Sequence, residues 1–178
     1  METSVIIVHN NTNIISTTEY DKYFDKTYLA KSKEELFELF KQINSDYVVV
    51  ILENAYYAED MYALYFYTYS HNLDFTVGNR IYTHQYNNTN KIYKILNKHI
   101  SSIISKQLNC HIPDLFSSGF ILSKNLYKCL ENNQNFQLEC IKKSKKFAYI
   151  DIRYITQTYS VLNSIRQYIY MILHRKDI

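Results

Sequence analysis

The sequence of 178 residues is long enough for one globular domain and too short for two full ones. Hydrophobic residues at 47% and charged residues at 21% exclude disorder as the dominant state, and 2 Gly with 1 Pro argue against a turn-dense β-sandwich or a flexible linker. A net charge of +3 is too small for a dedicated nucleic-acid binder, which carries a clustered basic stripe, so no nucleic-acid partner is expected.

Residues 4–8 form a short unbroken apolar run and predict a buried strand, with a polar turn at residues 10–13. Residues 14–31 show no clear period. Ser32 and Glu35 have the spacing of a capping box, which predicts a helix through residue 43 with Leu36, Phe37, Leu39 and Phe40 on its apolar face. Residues 47–52 are the clearest strand, and their unbroken apolar character predicts a strand covered on both faces. A helix with a tyrosine-rich face is expected over 59–70, and a strand over 74–77 ended by Gly78. A polar loop follows over 84–90. Ile92, Tyr93, Ile95, Leu96, Ile100, Ile103 and Ile104 recur with helical period over 90–107. Pro113-Asp114 marks a loop before a strand over 119–122. Short helices follow at 123–130, capped by Ser123, and at 135–143. A strand is expected over 147–154 and a last helix over 160–174, with Ile165, Tyr168, Ile169, Ile172 and Leu173 on one face. Alternation of strands and helices predicts an α/β fold with a mostly parallel sheet flanked by helices.

Cys110, Cys129 and Cys140 form no CxxC pair, and an odd number does not make a disulfide framework. They read as free thiols of a reducing, cytoplasmic compartment. The six histidines are scattered without metal-ligand spacing, and no window approaches the roughly 20 apolar residues of a membrane span.

Several segments, in chain order, resemble one family. Residues 5–14, Val-Ile-Ile-Val-His-Asn-Asn-Thr-Asn-Ile, are similar to the opening strand and loop of the family 2 GT-A glycosyltransferases, in particular the polyprenyl-phosphate (dolichol-phosphate mannose type) sugar transferases. Residues 46–52 resemble the strand leading into the family's D-x-D. Residues 74–80, Asp-Phe-Thr-Val-Gly-Asn-Arg, are similar to its D-x-V-x-G-S-R, and residues 90–104 to its long helix. Residues 112–120 resemble its D-x-x-S-G-F loop with one extra residue, residues 136–139 its F-x-x-E, and residues 149–152 its x-x-E-I-P strand. The resemblance implies a single shortened GT-A domain over residues 1–178, of the nucleotide-diphospho-sugar transferase type.

It also implies a site. In the family the D-x-D carboxylates hold Mg or Mn against the sugar diphosphate. The matching residues here are Glu53-Asn54-Ala55, so Glu53 is the remaining candidate metal ligand, Ala55 cannot ligate, and the cofactor is either such a cation or none. Glu59 and Asp60 could take over in a shifted register, but their spacing places them at the start of the following helix, and first-turn acids that favour the helix dipole are the better reading. The family's second strand with its D-D-x-S is not evident between residues 15 and 46, where Glu19, Asp21 and Asp25 are the only acids before the capping box. Its C-terminal R-x-x-G-x-S-K is reduced to Ser160. Asp114 and Glu53 are the implied catalytic residues, with Asp114 near the acceptor as a base. Arg80, Ser118, Gly119 and Asn10 are the implied substrate contacts, Arg80 through a phosphate. The bland alternatives are an Asp that stabilises a turn after Pro113, a solvated Arg and a simple Gly turn. Glu139 reads as structural.

Two functions follow from the resemblance. One is transfer of a sugar from a nucleotide donor to a lipid-phosphate or glycan acceptor. The other is an inactive relative that binds a glycan or a protein, favoured by Ala55 and the missing D-D-x-S. An unrelated small α/β domain would show a different strand order. Arg166, Arg175 and Lys176 on the last helix are compatible with peripheral membrane contact, although a basic rim around a core-packed helix explains them as well. A shortened sheet leaves an edge across which a homodimer could form.

Overall fold

The computed structural model describes residues 2–8, 17–52, 56–80, 91–131 and 136–153, together with the single positions 165, 166, 168, 169 and 172. Six strands build one sheet: β1 (Thr3–Val8), β2 (Lys26–Ala30), β3 (Tyr47–Ile51), β4 (Phe75–Asn79), β5 (Gly119–Ser123) and β6 (Phe147–Asp151), in the order β2-β1-β3-β5-β4-β6. The β1–β2, β1–β3 and β4–β6 pairs are parallel. Only β5 runs against its neighbours, antiparallel to both β3 and β4. The sheet is thus mostly parallel, as the alternating pattern predicts.

Helices α1 (Lys33–Gln42), α2 (Ala58–Ser70), α3 (Lys91–Leu108), α4 (Lys124–Tyr127) and α5 (Phe136–Lys143) flank it, with a 3-10 turn at Thr17–Lys22. The unbroken apolar strands follow from this layering. Ile6 and Val8 of β1 join one core with Leu36, Phe37 and Phe40 of α1, Ile100 and Ile104 of α3, and Phe136 and Leu138 of α5. Val5 and Ile7, pointing the other way, join a second core with Ala58, Met61, Leu64 and Tyr65 of α2. A strand buried on both faces has no polar side to alternate with. Val48, Val49, Val50 and Ile51 of β3 are all fully buried, each contributing about 1.5–3 kcal/mol of apolar transfer.

Four expectations need correction. The second strand is present: β2 pairs with β1 from Ser4↔Lys26 to Val8↔Ala30. It escapes a hydrophobic reading because it is a short edge strand in which only Ala30 is buried. Asp25 fastens its start, accepting from the Thr3 backbone N–H at 2.7 Å and from the Thr3 hydroxyl at 3.0 Å. That donation, led by the backbone N–H, holds the Asp25 carboxyl below its ordinary range. Asp25 therefore sits at the amino end of the strands, away from the end where ligands bind in such folds. Second, Gly78 lies inside β4, where a Cβ would collide with the Ile152 side chain. Third, the Ser32 side chain does accept from the Glu35 N–H at 3.3 Å, but Glu35 reaches back to the N–H of Lys31 at 2.6 Å, one residue beyond the expected partner. Fourth, Ser123 caps α4 without a side-chain hydrogen bond to the helix.

The polar loop 84–90 lies outside the described residues, and so does Leu173. Residues 165, 166, 168, 169 and 172 are helical. Tyr168 and Ile172 pack against the first core, whereas Ile169 is half exposed. Among the described residues no helix is long and apolar enough to cross a membrane.

Burial pushes the hydroxyl of Tyr20 well above its ordinary value, and those of Tyr65 and Tyr127 up to about 12. In the unfolded chain these groups ionise near pH ~10. A raised folded-state value means that stability is complete below that pH and is lost as pH rises toward the folded values. Urea unfolding at increasing pH is expected to show a constant midpoint up to about pH 9.5 and a steady fall above pH ~10. A midpoint that stays flat to pH ~11.5 would contradict the burial of these hydroxyls.

Candidate functional site

In open α/β sheets ligands bind outside the carboxyl ends of the strands, where the strand order reverses. Here the chain steps from β1 outward to β2 and returns to β3 on the other side of β1, so the reversal falls between β1 and β3. The loops leaving those strands contain residues 9–16 and 53–55. Both lie outside the described residues, and with them Asn10, Glu53 and Ala55. What is described is the other wall of this crevice: Tyr56, the end of β4 at Asn79 and Arg80, and the loop 112–118 before β5.

Arg80 and Asp114 come together there, both fully buried. Arg80 donates from Nε to Asp114 Oδ2 at 2.9 Å and from Nη2 to Oδ1 at 3.2 Å. Its Nη2 also donates to the hydroxyl of Tyr93 at 2.7 Å and to the carbonyl of Phe116. Asp114 Oδ1 accepts in addition from Asn97 Nδ2 at 2.9 Å and from the Phe116 N–H at 3.1 Å. Behind it, Asn97 Oδ1 and the Ser101 hydroxyl both accept from the Leu115 N–H at 3.2 Å. Gln137 of α5 donates to the Asp114 carbonyl and to the hydroxyl of Tyr149, each at 2.9 Å. Burial, aided by the charge of Asp114, raises the Tyr149 hydroxyl far above its usual value.

In this arrangement the Asp114 carboxylate is shielded from solvent and shared among Arg80, Asn97 and a backbone N–H, and the Arg80 guanidinium is buried against it rather than solvated. The pair bridges the end of β4 and the loop 112–118. Ser118 and Gly119 are buried as well, and their partner is Tyr56. The Tyr56 hydroxyl lies 3.2 Å from the Ser117 hydroxyl and accepts from the Ser118 N–H at 3.2 Å, while Ser117 donates to the Gly78 carbonyl at 2.6 Å. A Cβ on Gly119 would stand 2.9 Å from the Tyr56 ring, so glycine is needed for that ring to lie flat on the strand. Tyr20 donates to the Tyr56 carbonyl at 2.8 Å and holds it from the other side.

At the rim, Arg153 donates from Nη2 to Asp60 Oδ1 at 2.7 Å and from Nε to Oδ2 at 3.0 Å, and its guanidinium lies over the ring of Tyr57. Glu59 stands 3.7 Å from the same guanidinium. The first-turn acids of α2 are thus engaged with Arg153, and Asp151 accepts from Asn79. Among the described residues no three His, Cys, Asp or Glu side chains come together as a cation site; Glu53 and Ala55 lie outside the described residues.

Tyr56, Tyr93, Asn97, Ser101 and Gln137 were not singled out as site residues from sequence. Asn97 and Ser101 did carry a signal: they interrupt the buried stripe Tyr93, Ile100 and Ile104 of α3 with polar side chains, and a polar residue on a core stripe must find a buried partner.

No protein-family profile matches the sequence, and no curated protein does. Solved structures do match in fold. Glucosyl-3-phosphoglycerate synthase from Mycobacterium tuberculosis, in complex with phosphoglyceric acid, superposes with a TM-score of 0.70 at 11% identity, over 99% of this chain and 80% of that one. The same enzyme in complex with Mn2+, UDP-glucose and phosphoglyceric acid gives 0.66 at 10% identity over the same shares. Mannosyl-3-phosphoglycerate synthase from Rubrobacter xylanophilus gives 0.67 at 8% identity, over 97% of this chain and 72% of that one. The fold is GT-A-like. At these identities the likeness is one of fold.

Removing one member of a buried ion pair leaves the other charge uncompensated, at a cost of about 3–5 kcal/mol. Arg80→Met and Asp114→Asn are each expected to destabilise strongly in urea unfolding. The double variant should recover part of the loss, with a coupling of about 1–3 kcal/mol. Strict additivity would show that the two charges do not depend on each other.

Proposed function

We propose that the chain binds a nucleotide sugar in the crevice at the carboxyl ends of β1 and β3 and acts as a glycosyltransferase-like protein. The observation that carries this reading is the fold, which matches over 99% of the chain a glucosyl-3-phosphoglycerate synthase whose structure holds UDP-glucose. In the proposed reaction an acceptor oxygen displaces the nucleoside diphosphate at the anomeric carbon with inversion. Tyr56 and the backbone at 116–118 form the wall of the crevice, held rigid by Arg80 and Asp114. Glu53, which follows β3 in the chain, is the acid that the resemblance assigns to the diphosphate. The acceptor class proposed from the sequence is a lipid phosphate or a glycan; the phosphoglycerate bound by the structural neighbours is a third class.

A second reading has a specific observation behind it. Asp114 is occupied by Arg80, and Ala55 stands where the resemblance expects a metal ligand. A binding protein that has lost transfer but kept the scaffold has the same features.

The two separate experimentally. A ligand bound only by the folded state at about 100 times its Kd stabilises by about 2.7 kcal/mol, or several degrees in Tm for a chain of this size. UDP-, GDP- and CMP-sugars, each with and without Mn or Mg, are to be screened by thermal shift, followed by a transfer assay with the donor that binds. Binding with turnover that Glu53→Gln abolishes, at unchanged Tm, is the expected result. Binding without turnover selects the second reading. No binding of any donor overturns the first reading and favours the second, whose ligand is then a glycan or a protein.

A further inference from the structure

Four of the chain's 20 Lys and Arg residues fall within five positions, Lys142-Lys143-Ser144-Lys145-Lys146, at the end of α5 and ahead of β6. All four lysines are exposed. The sheet brings further cations to the same place. β6 begins beside β4, with Phe147 paired to Phe75, and the antiparallel β5 ends there, with Leu122 paired to Phe75. Lys124, just after β5, therefore joins Lys145 and Lys146 at the amino end of β4 and β6. Asp74 ties the group together. Its carboxylate accepts from the N–H groups of Lys145 and Lys146 at 2.9 and 3.2 Å and from the Ser123 hydroxyl at 3.4 Å. At the border, the exposed Lys128 donates to the Lys41 carbonyl at 3.0 Å and Lys143 to the Cys129 carbonyl at 2.7 Å.

The charge of this patch is poorly compensated. Glu139 pairs with Lys143 at 2.8 Å, and the Asp74 carboxylate is directed at backbone N–H groups. Asp46 and Glu131 are the remaining acids at its border. Among the described residues no carboxylate forms an ion pair with Lys124, Lys128, Lys145 or Lys146. Like charges held this close repel, and an anionic surface relieves the repulsion.

We infer that this end of the sheet docks on the anionic headgroups of a membrane. Its cations are all lysines, point charges without the planar fork that matches single phosphates of a nucleic acid. The rings beside them do not offer a stacking platform for bases, because Tyr127 is buried and Phe147 half-buried. None of the large apolar side chains that stand exposed among the described residues lies here, so nothing inserts between acyl chains. The attraction is electrostatic and confined to about one Debye length, ~10 Å at 0.1 M salt. This surface is separate from the last helix with its Arg166, Arg175 and Lys176. It also lies opposite the carboxyl ends of β1 and β3. Resting on the transferase reading, that orientation turns the crevice toward solvent and favours a glycan over a lipid phosphate as acceptor.

The test is co-sedimentation of the full chain, without any donor, with vesicles of phosphatidylcholine alone or with about 30% phosphatidylserine, at up to about 10 mM lipid. Binding only to the anionic vesicles is expected at about 0.1 M salt, with loss at about 0.5 M. Each lysine near such a surface contributes about fivefold in partitioning, so Lys145→Glu/Lys146→Glu is expected to weaken binding by about twentyfold or more at unchanged Tm. Arg166→Glu/Arg175→Glu/Lys176→Glu is expected to bind as the parent chain does. Absence of binding, equal binding to neutral vesicles, or binding indifferent to Lys145→Glu/Lys146→Glu overturns the inference. Loss of binding in the last-helix variant alone moves the contact to that helix and overturns it too, as does salt-sensitive binding to a single-stranded RNA without binding to vesicles. Because no donor is present, none of these outcomes bears on nucleotide-sugar binding.

Discussion

Arg80 and Asp114, both withdrawn from water just past the carboxyl end of β4, carry a desolvation cost that their mutual attraction alone rarely offsets. Their surroundings supply the difference: Tyr93, Asn97, the Phe116 N–H and the Phe116 carbonyl all hydrogen-bond to one or the other. These partners come from α3 and from the loop 112–118, so the ion pair joins α3, β4 and that loop into one unit. Gln137 adds α5 through the Asp114 carbonyl. Such a network rigidifies its surroundings as its members are satisfied; the Gln137 Oε1 is the member that is buried without a partner among the described residues.

The loop in turn sets the crevice wall. With residues 114–116 fixed, Ser117 and Ser118 meet the Tyr56 hydroxyl, and the ring of Tyr56 lies on Gly119. Tyr56 is the first described residue after the undescribed 53–55, so the anchored tyrosine ties the far side of that loop to β5. The Ser-Gly-Phe stretch, which the resemblance associates with the substrate, is explained here by packing. Phe120 points into the first core and Gly119 makes room for Tyr56. Retention of such a stretch is compatible with either proposed function.

Most of the layering was legible from sequence because continuous apolar runs, helical period and a capping box each have a direct physical cause. The fully buried valines of β3 and the stripe of α3 are examples. What escaped was information that resides in long-range pairing. β2 has no hydrophobic face of its own and is defined by its ladder to β1. Gly78 looked like a strand end and is instead a strand residue pressed on by Ile152. At the site, chemistry was assigned to Asp114 and Arg80 by type, and nothing local reveals that they pair across 34 positions. The polar interruptions at Asn97 and Ser101 were the available hint, since a helix stripe does not bury amides without a partner. Asn10 and Glu53, which follow β1 and β3 in the chain, lie outside the described residues.

The position of β5 bears on how the chain is made. β5 lies between β3 and β4 and is the only strand joining the two parts of the sheet, yet it follows both in sequence. Until residues 119–123 leave the ribosome, the inner edges of β3 and β4 have no strand to pair with. At synthesis rates of about 5–20 residues per second that interval lasts several seconds. Two unpaired hydrophobic edges over such a time are templates for wrong pairing, so the vulnerable stage in the life of this protein is the nascent chain that holds β1 to β4 and awaits the strand that closes the sheet.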